Sequence, residues 1–144
     1  MKNKLLFFTV ILLSAITITS CSKDDKTPSD PAQTEQNVQS GTWHVTLYND
    51  SGENKTSNFS GYNFAFNSNG SVSASNGTVT LIGTLSVYSD SGNTKFGLVF
   101  QSASGPFEQI SEDWRILTQS ATKIELVNVS GGNGGTDYLT FEKN

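Results

Sequence analysis

The chain has 144 residues, a formal charge of −4, a single histidine and one cysteine. An acidic chain without clustered Lys or Arg does not present the phosphate-neutralising face that nucleic acid requires. One cysteine excludes an intrachain disulfide and a thiolate zinc cluster.

Lys2 and Lys4 precede a mostly apolar run of 14 residues, Leu5 to Ile18. Crossing a bilayer takes about 20 residues, so the run is short for a membrane helix and suits the apolar region of a signal peptide. Small residues, Thr19 and Ser20, lead to Cys21, and the charged stretch Ser22-Lys23-Asp24-Asp25-Lys26 follows. The arrangement resembles a bacterial lipoprotein signal, in which the bond before the cysteine is cut and its thiol carries a diacylglycerol. That resemblance implies that residues 1–20 are removed and that Cys21 is the lipid attachment point. An ordinary secretory signal is the alternative. Two or more acyl chains hold a protein firmly where one binds reversibly, so the domain would sit on the membrane without spanning it. Removal of residues 1–20 would take Lys2 and Lys4 and no acid, moving the formal charge from −4 to −6.

Lys23-Asp24-Asp25 resembles the export signal of Bacteroidota lipoproteins that reach the cell surface. A solvated charge run in a tether is the bland alternative. The expected location is the bacterial outer membrane, lipid-anchored and surface-exposed.

Residues 21–39 hold Pro28, Pro31 and many Asp, Ser, Thr and Gln, with almost no large apolar side chain. Such a segment buries too little to offset its ordering entropy and is expected to be a flexible tether. Residues 40–144 fit one small domain.

That domain alternates apolar and polar residues over short runs separated by Gly, Asn and Ser, the pattern of strands joined by turns. The first strand is Thr42 to Tyr48, with Trp43, Val45 and Leu47 on one face. Tyr62 to Phe66 is the second, and Ser71 to Ser75 the third. Asn-Gly turns precede and follow the third. The fourth spans about Thr78 to Tyr88, where Gly83 marks a bulge or bend. The fifth is Lys95 to Gln101. Pro106 to Glu112 reads as a short helical turn, with Ser104 as its cap. Trp114 to Thr118, Lys123 to Val129 and Tyr138 to Glu142 complete the set, with a glycine-rich hairpin, Ser130 to Gly135, before the last. Eight short-looped strands predict an all-β fold, a small antiparallel up-and-down barrel. A two-sheet β-sandwich is the alternative.

Gly41-Thr42-Trp43 resembles the Gly-x-Trp opening of lipocalins and other calycins. Gly61-Tyr62-Asn63-Phe64-Ala65-Phe66, Glu112-Asp113-Trp114, Thr122-Lys123-Ile124-Glu125-Leu126 and Ser130 to Tyr138 are similar to lipocalin-like lipoproteins of Bacteroidota. The resemblance covers about residues 40–144 and implies a small barrel with Trp43 closing one end. Arg115 and Lys143 are both candidates to stack on that indole. Thr136-Asp137-Tyr138 matches a second lipocalin motif in letters only and is read as chance or local turn chemistry.

No residues assemble into an obvious catalytic set, so an enzyme is not expected. His44 falls on the face opposite Trp43, with no second histidine to share a metal. Asp50 and Glu53 are few for calcium and lack its alternating ligand spacing. Glu108, Glu112 and Asp113 read as solvated loop charges. No metal or cofactor is expected. The aromatic residues remain. An eight-stranded barrel is wide enough to be filled by side chains or to hold one small ligand. Phe64, Phe66, Phe96, Phe100 and Trp114 are the candidate lining of an apolar cavity, with the loop from Asn49 to Gly61 at its mouth. The alternative is a filled barrel presenting loops to a protein or glycan partner.

Replacing Asp24 and Asp25 by alanine is expected to reduce protease accessibility on intact cells. Unchanged accessibility would remove the surface-export reading.

Overall fold

The computed structural model describes residues 30–101, 104–130 and 134–144. Cys21, the signal segment and the first part of the tether lie outside the described residues, as do residues 131–133 of the glycine-rich hairpin.

The described residues form helix α1 (Pro31–Val38), strands β1 (Trp43–Asp50) and β2 (Glu53–Asn54), a 3-10 turn (Thr56–Phe59), β3 (Asn63–Phe66), β4 (Ser71–Ser75), β5 (Thr80–Asp90), β6 (Asn93–Val99), helix α2 (Pro106–Gln109), β7 (Asp113–Gln119), β8 (Lys123–Val129) and β9 (Thr136–Lys143). Every strand pairing is antiparallel. From β3 to β9 each strand pairs with the next, and β1 joins both β3 and β9. The sheet therefore closes into the eight-strand up-and-down barrel that the alternation predicts, and β2 is a two-residue addition to the tip of β1.

Alternation carries the inward residues of most strands to the core. Phe64, Phe66, Val72, Ala74, Phe96, Leu98, Trp114, Ile124, Leu126, Leu139 and Phe141 are all buried. The first strand departs from that pattern. Its register against β9 shifts between Val45 and Leu47. A bulge adds one residue and exchanges the faces beyond it, so Tyr48 is buried in the place expected for Leu47.

Helix α1 occupies a segment expected to be flexible tether. Asp30 caps it, accepting from the Ala32 N–H at 3.1 Å, and Pro31 supplies a preset φ in the first turn. Only Thr34 and Val38 of the helix are buried. The Trp43 indole N–H donates to the Val38 carbonyl at 2.8 Å, satisfying one of the acceptors that a helix end leaves open. Lys143 lies over the same ring, its Nζ 4.9 Å from the centroid, which decides between the two cations considered from sequence. Gly41, at φ +81°, turns the chain from α1 into β1, and the Lys143 stem packs across it.

Helix α2 ends in the same way. Its cap is Gly105 and not Ser104. The Trp114 indole N–H donates to the Ile110 carbonyl at 3.0 Å. Phe107 of α2 meets Phe59, Tyr62 and Phe100 with ring centroids 5.0–5.5 Å apart, mostly edge to face.

Gly83 sits where β5 crosses the core beside Val99 and Phe100. A Cβ there would fall 2.5 Å from the Val99 carbonyl oxygen and 2.9 Å from the Phe100 ring. Gly83→Ala is therefore expected to destabilise the barrel by about 1–3 kcal/mol through overpacking. The denaturant midpoint reads it; a midpoint unchanged from the parent would show that the strands can move apart.

Candidate functional site

The five side chains expected to line a cavity all lie in the hydrophobic core, where four of the rings pack on one another and on Phe141. Phe64 contacts Phe100 and Phe141, and Phe66 contacts Phe96 and Phe141, with centroids 5.1–6.3 Å apart. Phe64, Phe96 and Trp114 have no accessible surface, Phe66 has 2% and Phe100 has 4%. No water-sized space therefore borders the first three. The loop from Asn49 to Gly61 does not form an open mouth. Its Phe59 turns inward, 2% exposed, and packs edge to face on Tyr48 and Phe107.

The accessible concavity of this region lies outside the barrel, at the seam between β1 and β3. These strands share one register pair, Trp43 with Phe64. Beyond it the chain leaves β3 and loops through the 3-10 turn. Backbone direction along β1 follows from its two ends. The Thr42 carbonyl accepts from Asn144 N–H at 2.9 Å on the β9 side, and the Tyr48 carbonyl accepts from Lys55 N–H at 2.8 Å on the opposite side. Alternation from Thr42 turns the N–H and C=O of Trp43 and Val45 toward β3. Trp43 meets Phe64 there; Val45 has no ladder partner on that side among the described residues.

A groove of about 410 Å³ opens along this edge. Val45 and Phe59 form its apolar floor, and His44, Thr56, Tyr62 and Asn63 stand around it. His44 points to the outer face as its position in the strand requires, but it is half-buried and its Nδ1 has no hydrogen-bond partner among the described residues. The groove was not legible from sequence, because what makes it is missing strand pairing and not a motif.

The acidic clusters have other occupations. Lys55 bridges Asp50 at 2.6 Å and Glu53 at 3.4 Å, and the Asp50 bond raises the Lys55 ammonium above its ordinary pKa. Both carboxylates considered for calcium are thus engaged by an ammonium. Asp113 pairs with Lys95 at 3.4 Å. Among the described residues no three His, Cys, Asp or Glu side chains gather as a metal site. Asp137 accepts from the backbone N–H and hydroxyl of Ser51 at 2.8 and 3.1 Å, so the Thr136-Asp137-Tyr138 letters serve turn chemistry that ties the β1–β2 tip to β9.

Neither a protein-family model nor a curated protein sequence matches the chain. Among solved structures, the chain is similar to a DUF4847 family protein from Bacteroides vulgatus. The two are 17% identical with a TM-score of 0.51, over 77% of this chain and 97% of that one. At this identity the likeness speaks for the barrel fold alone.

Tyr48 closes the barrel beside the groove. Its burial, with Asp50 and Asp137 adding to it, raises the hydroxyl from 10.0 to about 12. The folded chain therefore holds this proton after the unfolded chain has lost it, so stability declines as pH rises from about 10 toward 12 and is unaffected below. Tyr48→Phe is expected to flatten the fall in denaturant midpoint between about pH 10 and pH 12. An equally steep fall in the variant would show that other groups, the lysines first, carry it.

Proposed function

We propose that this chain is a lipid-anchored module of the bacterial outer membrane, held through Cys21 and exposed at the cell surface. Its filled barrel would present the seam groove to an extended segment of a partner protein. One observation carries the reading: the interior is sealed by its own rings, whereas the groove outside borders an unpaired strand edge. An edge of this kind accepts an added strand through backbone hydrogen bonds, with side chains seated in adjacent pockets. Val45 would offer its N–H and C=O, and the apolar floor would take one side chain of the partner. The unpartnered His44 Nδ1 adds a polar group whose burial without a bond costs about 1–3 kcal/mol, part of which a partner could recover.

The lipocalin-like alternative, an apolar molecule inside the barrel, would require Phe64, Phe66, Phe96 and Phe100 to give up the space they fill. The proposed role is binding and not catalysis. The pairing of Asp50 and Glu53 with Lys55 supports that choice, since it leaves these carboxylates poorly placed for acid–base work.

Photocrosslinking on intact cells tests the proposal. A crosslinker at Ser57, on the groove, is expected to give a discrete protein adduct that Ser60→Trp, which blocks the groove, abolishes. A crosslinker at Leu117, across the barrel on β7, is expected to give none. Equal yields from both positions, or persistence of the adduct in the blocked variant, would overturn the docking site. Native mass spectrometry of protein extracted from its own membrane addresses the filled barrel: a consistently bound apolar molecule would overturn it.

A further inference from the structure

Arg115 is the chain's one arginine. It lies on the outer face of β7, directly across from Lys95 on β6. Like charges placed opposite each other across a ladder destabilise a sheet unless something neutralises them. Asp113 neutralises only Lys95. It holds that ammonium at 3.4 Å, and its carboxylate beside Tyr88 raises that hydroxyl above its ordinary pKa. Every described lysine has a partner: Lys55, Lys95 and Lys123 are in ion pairs, and Lys143 lies over Trp43. Among the described residues Arg115 has no ion pair, on a chain with 13 acidic residues.

A second concavity, of about 230 Å³, opens beside it. Ser91, Asn93 and Asn128 give it hydrogen-bonding walls, and Val127 and Val129 an apolar one. A guanidinium offers a planar fork of donors that fits a carboxylate in two parallel bonds. Asp90 and Asp113 also border the pocket. With two carboxylates against two cations, the lining has no net formal charge, which favours a monoanion over a dianion such as phosphate. The volume is that of one monosaccharide. The amide and hydroxyl walls suit hydroxyl groups, and the exposed Val129 suits the C–H face of a sugar ring.

We propose that the Arg115 pocket is a binding site for a hydroxylated monocarboxylate of monosaccharide size, a sugar acid of the uronate type, with Arg115 holding the carboxylate. The pocket lies on a different face from the seam groove, so either site can fail without the other.

Titration of the full domain, followed by NMR, tests it with D-glucuronate as the probe. Saturable shifts are expected at Arg115, Asn93 and Asn128, with a dissociation constant of about 1 mM. D-Glucose, which keeps the ring and lacks the carboxylate, is expected to give no saturation. Arg115→Gln is expected to weaken glucuronate about tenfold or more, and Arg115→Lys, which keeps the charge but loses the fork, less than that. The side chain is on the outer face, so Arg115→Lys should retain the parent's unfolding midpoint, and Arg115→Gln, which removes the charge facing Lys95, should keep or raise it. Absence of saturable binding, equal binding of glucose, or glucuronate binding unchanged in Arg115→Gln would overturn the proposal. Inorganic phosphate binding as well as glucuronate would overturn the monocarboxylate assignment.

Discussion

The barrel closes at Trp43. This residue pairs with Phe64 of β3 on one side and with Lys143 of β9 on the other. It is the single register link between β1 and β3, and without it the sheet would be an open meander with two exposed edges. Its side chain is bound as firmly as its backbone. The indole is wholly buried, its N–H is taken by α1 and its face by Lys143. Helix, first strand and last strand therefore meet on one side chain. Trp114 repeats half of the device with α2. Each helix ends four or five residues before its tryptophan, which lets the indole turn back and satisfy a carbonyl that the helix leaves open.

The aromatic residues between these two clasps explain why a barrel of ordinary strand number carries no interior space beside its central rings. Phe64 and Phe66 of β3 project inward, where Phe96, Phe100 and Phe141 meet them. Edge-to-face contacts dominate, as the ring quadrupole favours. Closure from both ends, by Val38 below Trp43 and by Phe59 and Phe107 at the other end, completes the seal. The seam groove and the Arg115 pocket lie on the outer surface. There the two concavities differ in kind: one borders a strand edge with an apolar floor, the other surrounds a cation.

Strand positions were legible because half-buried strands alternate, and β4 and β8 begin and end where alternation places them. The first strand was legible only as far as Val45. Its sequence continues to alternate through Leu47, and nothing in those letters reveals that the backbone inserts a residue against β9. Helix α1 escaped notice for a different reason. It buries only Thr34 and Val38, so its sequence lacks an apolar stripe; the Asp30-Pro31 pair, a cap followed by a preset φ, was the one available signal. The ring cluster was identified residue by residue, but alternation reports which way a side chain points and not whether the space ahead is occupied. The groove depends on pairing that stops after Trp43, and the unpaired state of Arg115 on where Asp113 spends its charge; both emerge only in three dimensions.

The two indole clasps have an optical consequence. Both tryptophans of the chain are excluded from water, and each donates its N–H to the carboxyl-terminal end of a helix. Emission from the folded chain thus arises from two dry chromophores, of which Trp43 lies under an ammonium. Release of α1 would hydrate Trp43 while leaving Trp114 dark to solvent, and loosening of α2 would do the reverse. The protein carries a built-in pair of reporters, one for each end of the barrel.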